Sequence, residues 1–180
     1  MTFVQDRDGM PDFLVEPFVK SQESEGVTAY LLERHEIENY LIQPALFEEA
    51  AKLVGRTISN DDAEKAILVA AQDQKAEARR ASLECAELIN RYLTADKSKG
   101  AELELKVYRW FDALDLNELD TVQRVFPGKE LLRKALEVLN SWSEKPITRG
   151  NLVASLRHEY VPADIIDFLK SAAEPTAKKK

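Results

Sequence analysis

Two pairs of acidic residues carry the types and spacing that metal chemistry needs. Asp6-Arg7-Asp8-Gly9 follows a short β-prone run, Thr2-Phe3-Val4-Gln5, and sets two carboxylates at i and i+2. On an extended chain such residues point to one side. Both could then reach one hard cation such as Mg²⁺ or Mn²⁺, while Gly9 lets the chain turn away. The pattern returns in Glu33-Arg34-His35-Glu36-Ile37-Glu38, directly after the run Val27-Thr28-Ala29-Tyr30-Leu31-Leu32, with Glu36 and Glu38 again at i and i+2. Each pair by itself also describes an ordinary solvated loop. If the two runs are neighbouring parallel strands, about 4.8 Å apart, four acids converge on the carboxyl edge of a sheet, where open α/β sheets bind ligands. They would repel one another unless a cation lay between them.

The surrounding elements must bring those loops together. Phe13 to Ser24 reads as a short helix, with Pro17 in its first turn or at a bend, and strand–helix–strand is the grammar of a parallel pair. A parallel sheet needs more than two strands to cover both faces, so upstream material is expected. Pro44 to Val54 reads as a helix with proline at its start and Gly55 at its end. Ser59-Asn60-Asp61-Asp62 is a capping signal, and neither Gly nor Pro follows until Gly100. This predicts one helix over about 60–94, roughly 52 Å long, with apolar ends and a polar middle from Gln72 to Arg80, as in a long arm or half of a helical hairpin.

Ala101 to Leu114 forms another helix, with Leu103, Val107, Trp110, Phe111 and Leu114 on one face. Thr121-Val122-Gln123-Arg124-Val125-Phe126 reads as a strand, and Pro127-Gly128-Lys129-Glu130 as a turn into a helix. Short helices follow at about 148–157 and 162–172, then a disordered tail. The expected division is 1–45 for the acidic α/β segment, 46–120 for a helical portion, 121–173 for a closing strand and helices, and 174–180 for the tail. The fold class is α/β, mostly α.

Composition excludes several functions. The 180 residues hold 25 Lys and Arg against 32 Asp and Glu, a net charge of −7, which excludes a histone-like binder driven by positive charge. No apolar run approaches the roughly 18–20 residues of a membrane span, and no basic-then-apolar leader opens the chain, so a cytoplasmic protein without membrane contact is expected. The single cysteine, Cys85, forbids an internal disulfide and reads as an inert core thiol. His35 and His158 lie far apart and read as surface or packing histidines, leaving no zinc site of ordinary spacing.

Phe3-Val4-Gln5-Asp6-Arg7-Asp8-Gly9, followed by Leu32-Glu33-Arg34-His35-Glu36-Ile37-Glu38-Asn39-Tyr40-Leu41, resembles the second half of a TOPRIM domain. The match is closest to the version in OLD-family (overcoming lysogenization defect) ATP-dependent endonucleases. Val125-Phe126-Pro127-Gly128-Lys129-Glu130-Leu131-Leu132 is similar to that domain's closing strand and Gly-Lys turn, and the helices between fit its insertion. The resemblance implies a partial TOPRIM-like parallel sheet with a large helical insertion. It also implies a metal-dependent DNA endonuclease of the phage-defence type, hydrolysing phosphodiesters with two Mg²⁺ or Mn²⁺ ions. Asp6, Asp8, Glu36 and Glu38 would hold metal, Lys129 and Glu38 would be catalytic, and Arg7 and Arg34 would contact DNA phosphates. Arg79 and Arg80, with Lys75, form a local basic strip that extends the DNA-binding candidates.

No strand with a glutamate precedes Thr2, and no Gly-x-x-x-x-Gly-Lys-Ser/Thr phosphate loop occurs. The implied protein is therefore the C-terminal part of such a nuclease, truncated or split. Its ATPase and upstream TOPRIM half would come in cis or in trans, with a second copy of the chain a further candidate partner. The alternative is a catalytically inactive helical interaction module or remnant.

Overall fold

The computed structural model describes residues 2–94, 100–141, 143–161, 163, 165–167 and 170. The expected tail over 174–180 and most of the expected helix over 162–172 lie outside them. The described chain is mostly helical.

β1 (Thr2–Gln5) and β2 (Thr28–Leu31) pair in parallel, Thr2 opposite Thr28 and Gln5 opposite Leu31, with α1 (Asp12–Ser24) connecting them. Pro17 sits inside α1, where it removes one backbone bond. The helix holds because Leu14 and Phe18 are buried on its inner face. Past β2 the chain makes a 3₁₀ turn, Ile37–Leu41, and then enters α2 (Pro44–Leu53), with Pro44 at its start as expected.

The single helix anticipated over 60–94 is two helices, α3 (Asn60–Asp73) and α4 (Lys75–Leu93). Ser59 caps α3 as its sequence implies, accepting a hydrogen bond from Asp62 N at 3.1 Å while Asp62 Oδ2 accepts from Ser59 N at 3.0 Å. The break falls at Gln74, whose buried side chain donates from Nε2 to Glu130 O at 3.0 Å. Its reason is packing. The Ala63, Ala66, Ile67 and Ala70 face of α3 belongs to one core, whereas Ala86 and Ile89 of α4 belong to another. One straight helix would not serve both.

α5 (Gly100–Asp112) pairs with α4, and its Val107 joins α1 and α4 in the smaller core. The stretch anticipated as a closing strand is helical: α6 (Leu119–Val125) buries Val122 and Val125, three positions apart, against the larger core, with Phe126 at its end. Here the i, i+3 burial of two valines overrides their β preference. α7 (Gly128–Asn140) drives Leu131, Leu132, Ala135, Leu136 and Leu139 into the same core, and α8 (Arg149–Ala154) closes it with Leu152.

Tertiary bonds clamp the loop after β2 onto the α6–α7 junction. Asn39, fully buried, donates from Nδ2 to Phe126 O at 3.0 Å and accepts at Oδ1 from Glu36 N at 2.9 Å. His35 N donates to Gln123 O at 3.3 Å, and Gln123 Nε2 donates to Ile42 O. Gly128 makes room for this clamp, since a Cβ there would lie 2.8 Å from Asn39 N and 2.9 Å from its Cγ. Gly128→Ala is therefore expected to lower the free energy of urea unfolding by about 1–3 kcal/mol, through displacement of a buried hydrogen-bonded amide. Gly150→Ala, whose nearest neighbour would be Thr148 Oγ1 at 3.6 Å, should leave it nearly unchanged.

Candidate metal centre

The centre forms where the chain leaves each strand. After β1, Asp8 and Gly9 both take left-handed backbone, at φ of 49° and 69°, a conformation that glycine adopts freely and aspartate tolerates. Arg7 anchors the turn from inside: its buried guanidinium pairs with Asp12, and Nε donates to Met10 O at 3.2 Å. Burial lowers the Arg7 pKa, and the Asp12 carboxylate opposes that shift. Asp8 N donates to His35 O at 2.8 Å, which joins the two loops through their backbones.

Among the described residues, Asp8, His35 and Glu36 bring one ligand atom each within 4.8 Å of one another. Asp6 and Glu38, expected to belong with them, stay outside this group. The extended-chain argument fails at both loops for the same reason. The positive φ of Asp8 ends the strand-like alternation after Asp6, and the 3₁₀ turn beginning at Ile37 ends it after Glu36. Glu38 is turned instead towards Lys129, with Oε1 at 3.6 Å from Nζ, while Glu36 Oε2 accepts from Lys129 N at 3.1 Å. The α7 N-terminus thus abuts the acidic loop.

The charges in the group act on one another. The Asp8 pKa is raised, first by burial and then by the negative charges of Asp6 and Glu36, with Lys129 opposing. Asp6 is therefore an electrostatic neighbour without being a member. His35, 4% exposed, has no hydrogen-bond partner for either ring nitrogen among the described residues. Burial pulls its pKa down to about 4, opposed by the residue's own backbone and aided in lesser degree by the Arg7 charge, so the ring is neutral near pH 7.

No family model, curated protein or solved structure matches this chain. The reading of the site therefore rests on its geometry. Bonds of about 2.0–2.2 Å hold donor atoms roughly 3–4 Å apart around one ion, which two carboxylates and a neutral imidazole within 4.8 Å can meet with small side-chain movements. Asp8 is exposed, so the group opens to solvent on one side. Beside it lies a cavity of about 400 Å³ lined by Gln5, Asp8, His35, Glu36 and Cys85, among others. Burial and the nearby Asp8 push the Cys85 thiol up to about 12, in keeping with an unreactive cysteine.

The arginines proposed for DNA are engaged within the chain. Arg7 is buried against Asp12, and Arg34 donates to Asn39 O at 3.0 Å and lies over the Tyr40 ring. Arg79 pairs with Asp112 at 3.0 Å and stacks on Tyr108, while Arg80 pairs with Glu77 and Glu84. Two residues escaped the sequence reading. Asn39 is the clamp described above, and His35, read as isolated, is central. Its place next to Glu36 in a loop after a strand was the available signal.

The folded His35 resists protonation down to about 4, whereas the unfolded chain takes that proton near 6.5. Between those values the unfolded state binds more protons, so this contribution is complete above 6.5 and is lost as pH falls towards 4. Asp8, with its raised pKa, works in the opposite direction. Urea unfolding at pH 6.5 and 4 in metal-free buffer should show wild type losing roughly 2–3 kcal/mol more than His35→Gln.

Proposed function

We propose that this chain is the metal-binding portion of a divalent-metal-dependent DNA endonuclease of TOPRIM/OLD type, completed by an ATPase and upstream half in cis or in trans. One observation carries this reading: Asp8 and Glu36 converge from the ends of two parallel strands, next to the N-terminus of α7. Asp8 and Glu36 hold the cation, and Asp6 and Glu38 are the carboxylates left for a second ion. A bound Mg²⁺ or Mn²⁺ supplies Lewis acidity towards a phosphodiester oxygen and lowers the pKa of its water. Lys129, exposed at Nζ and held beside Glu38, sets a positive charge where a phosphate would approach. Arg149, which donates to Lys129 O at 3.0 Å, adds a second cation on that side. Phosphate contact would begin with this pair, which lies beside the acidic loop, whereas Arg7 is buried against Asp12 and exposed Arg80 pairs only at the surface.

A second reading, an interaction module without catalysis, is favoured by an apolar groove of about 340 Å³ between the 3₁₀ turn and α8. Ile37, Tyr40, Leu41, Val153, Leu156 and Tyr160 line it. Calorimetric titration of the full chain with Mn²⁺ separates the two. The nuclease reading expects saturable binding that Asp8→Asn weakens at least about 100-fold, because even outer partners of metal ligands are worth about 10–100-fold, whereas an interaction module retains no metal. Mn²⁺ binding that survives Asp8→Asn together with Glu36→Gln, or no saturable binding to wild type, would sink it.

A further inference from the structure

We infer that His35 is a nitrogen ligand of this centre, which makes its ion a divalent transition metal of the Mn²⁺-to-Zn²⁺ series in preference to Mg²⁺. The inference rests on the reading of the Asp8–Glu36 cluster as a metal centre. It goes beyond that reading because oxygen ligands alone carry no preference against Mg²⁺.

His35 is the observation that the acids do not explain. A buried polar group without a partner is destabilising, and His35 keeps both ring nitrogens unpartnered among the described residues while only 4% exposed. Its own hydrogen bonds do not hold the ring there. The backbone does: His35 N donates to Gln123 O at 3.3 Å, and His35 O accepts from Asp8 N at 2.8 Å. Gly9 keeps the space beside the ring open, since a Cβ at that position would stand 2.9 Å from His35 Nε2 and 3.2 Å from Ser82 Oγ. The loop thus sets the imidazole within 4.8 Å of the ligand atoms of Asp8 and Glu36.

A set of two carboxylates and one imidazole is borderline in softness. Imidazole suits Zn²⁺, Fe²⁺ and Ni²⁺, whereas Mg²⁺ favours an all-oxygen shell. Affinity of a mixed nitrogen and oxygen site rises from Mn²⁺ to Cu²⁺ and falls back at Zn²⁺. Three protein ligands with one of them exposed leave coordination positions open, the pattern of a reactive site and not of a closed structural one. The competing explanation is a buried water shared between the ring and Ser82, whose Oγ is also unpartnered among the described residues.

The full chain labelled with ¹⁵N-histidine tests this directly, because it carries two histidines, His35 and His158. Titration with Zn²⁺ should shift one pair of ring nitrogen resonances, and that pair should be absent from His35→Gln. Calorimetry should show Zn²⁺ affinity at least about 10-fold weaker in His35→Gln, with Mg²⁺ affinity much less affected. Asp8→Asn should weaken both metals. Saturable Zn²⁺ binding that leaves the His35 ring unshifted, or shifts only His158, would overturn the inference while sparing the acidic metal centre. Absence of saturable Zn²⁺, Mn²⁺ and Mg²⁺ binding to wild type would overturn both.

Discussion

The buried amide of Asn39 is the contact on which the acidic loop depends. It bonds at one end to the Phe126 carbonyl, where α6 gives way to α7, and at the other to the backbone N–H of Glu36. A fully buried amide has no water to fall back on, so losing either partner costs much of its desolvation energy. The clamp therefore sets the position of Glu36 relative to α7, and the missing side chain of Gly128 is what permits so close an approach. From that placement follow the bond between Glu36 and Lys129 N, the pairing of Glu38 with Lys129 and the convergence of Glu36 on Asp8.

The two hydrophobic cores explain why so small a parallel pair persists. The smaller core packs α1 against α4 and α5, so that β1 and β2 are held by helices distant in sequence. The larger core gathers α2, α3, α6, α7 and α8, with Ala78 of α4 and Phe111 of α5 reaching into it. Gln74 links them: by leaving helical geometry it redirects α4 towards α1, and its side chain ties the bend to the first turn of α7. The anticipated division at residues 45 and 120 follows composition. Packing cuts across it, joining α1 to α4 and α5, and the loop after β2 to α6 and α7.

Electrostatically, the site is held at a cost that a cation would relieve. Burial and the charges of Asp6 and Glu36 disfavour ionised Asp8, and burial keeps His35 neutral. Lys129 offsets part of the repulsion from outside. Of the arginines that looked available for a polyanion, Arg7 is buried against Asp12, while Arg79 and Arg80 pair with Asp112, Glu77 and Glu84 at the surface.

Local chemistry was legible in the sequence. Periodic apolar residues marked α2, α5 and α7, Ser59 and Pro44 marked two helix starts, and the two acidic loops after β-prone runs marked where a cation could bind. These signals act within a few residues, so no partner from elsewhere is needed to read them. What lay beyond reach depends on distant contacts. Thr121–Val125 is helical because its valines face a core built from six other helices, and the 60–94 segment breaks because its two ends serve different cores. The acids regrouped as Asp8 with Glu36, leaving Asp6 and Glu38 aside, because a positive φ and a 3₁₀ turn replaced the alternation of a strand. Only the folded chain decided the surroundings of His35, since its burial and the lack of a partner for its ring nitrogens among the described residues are properties of the packed loop and not of the residue.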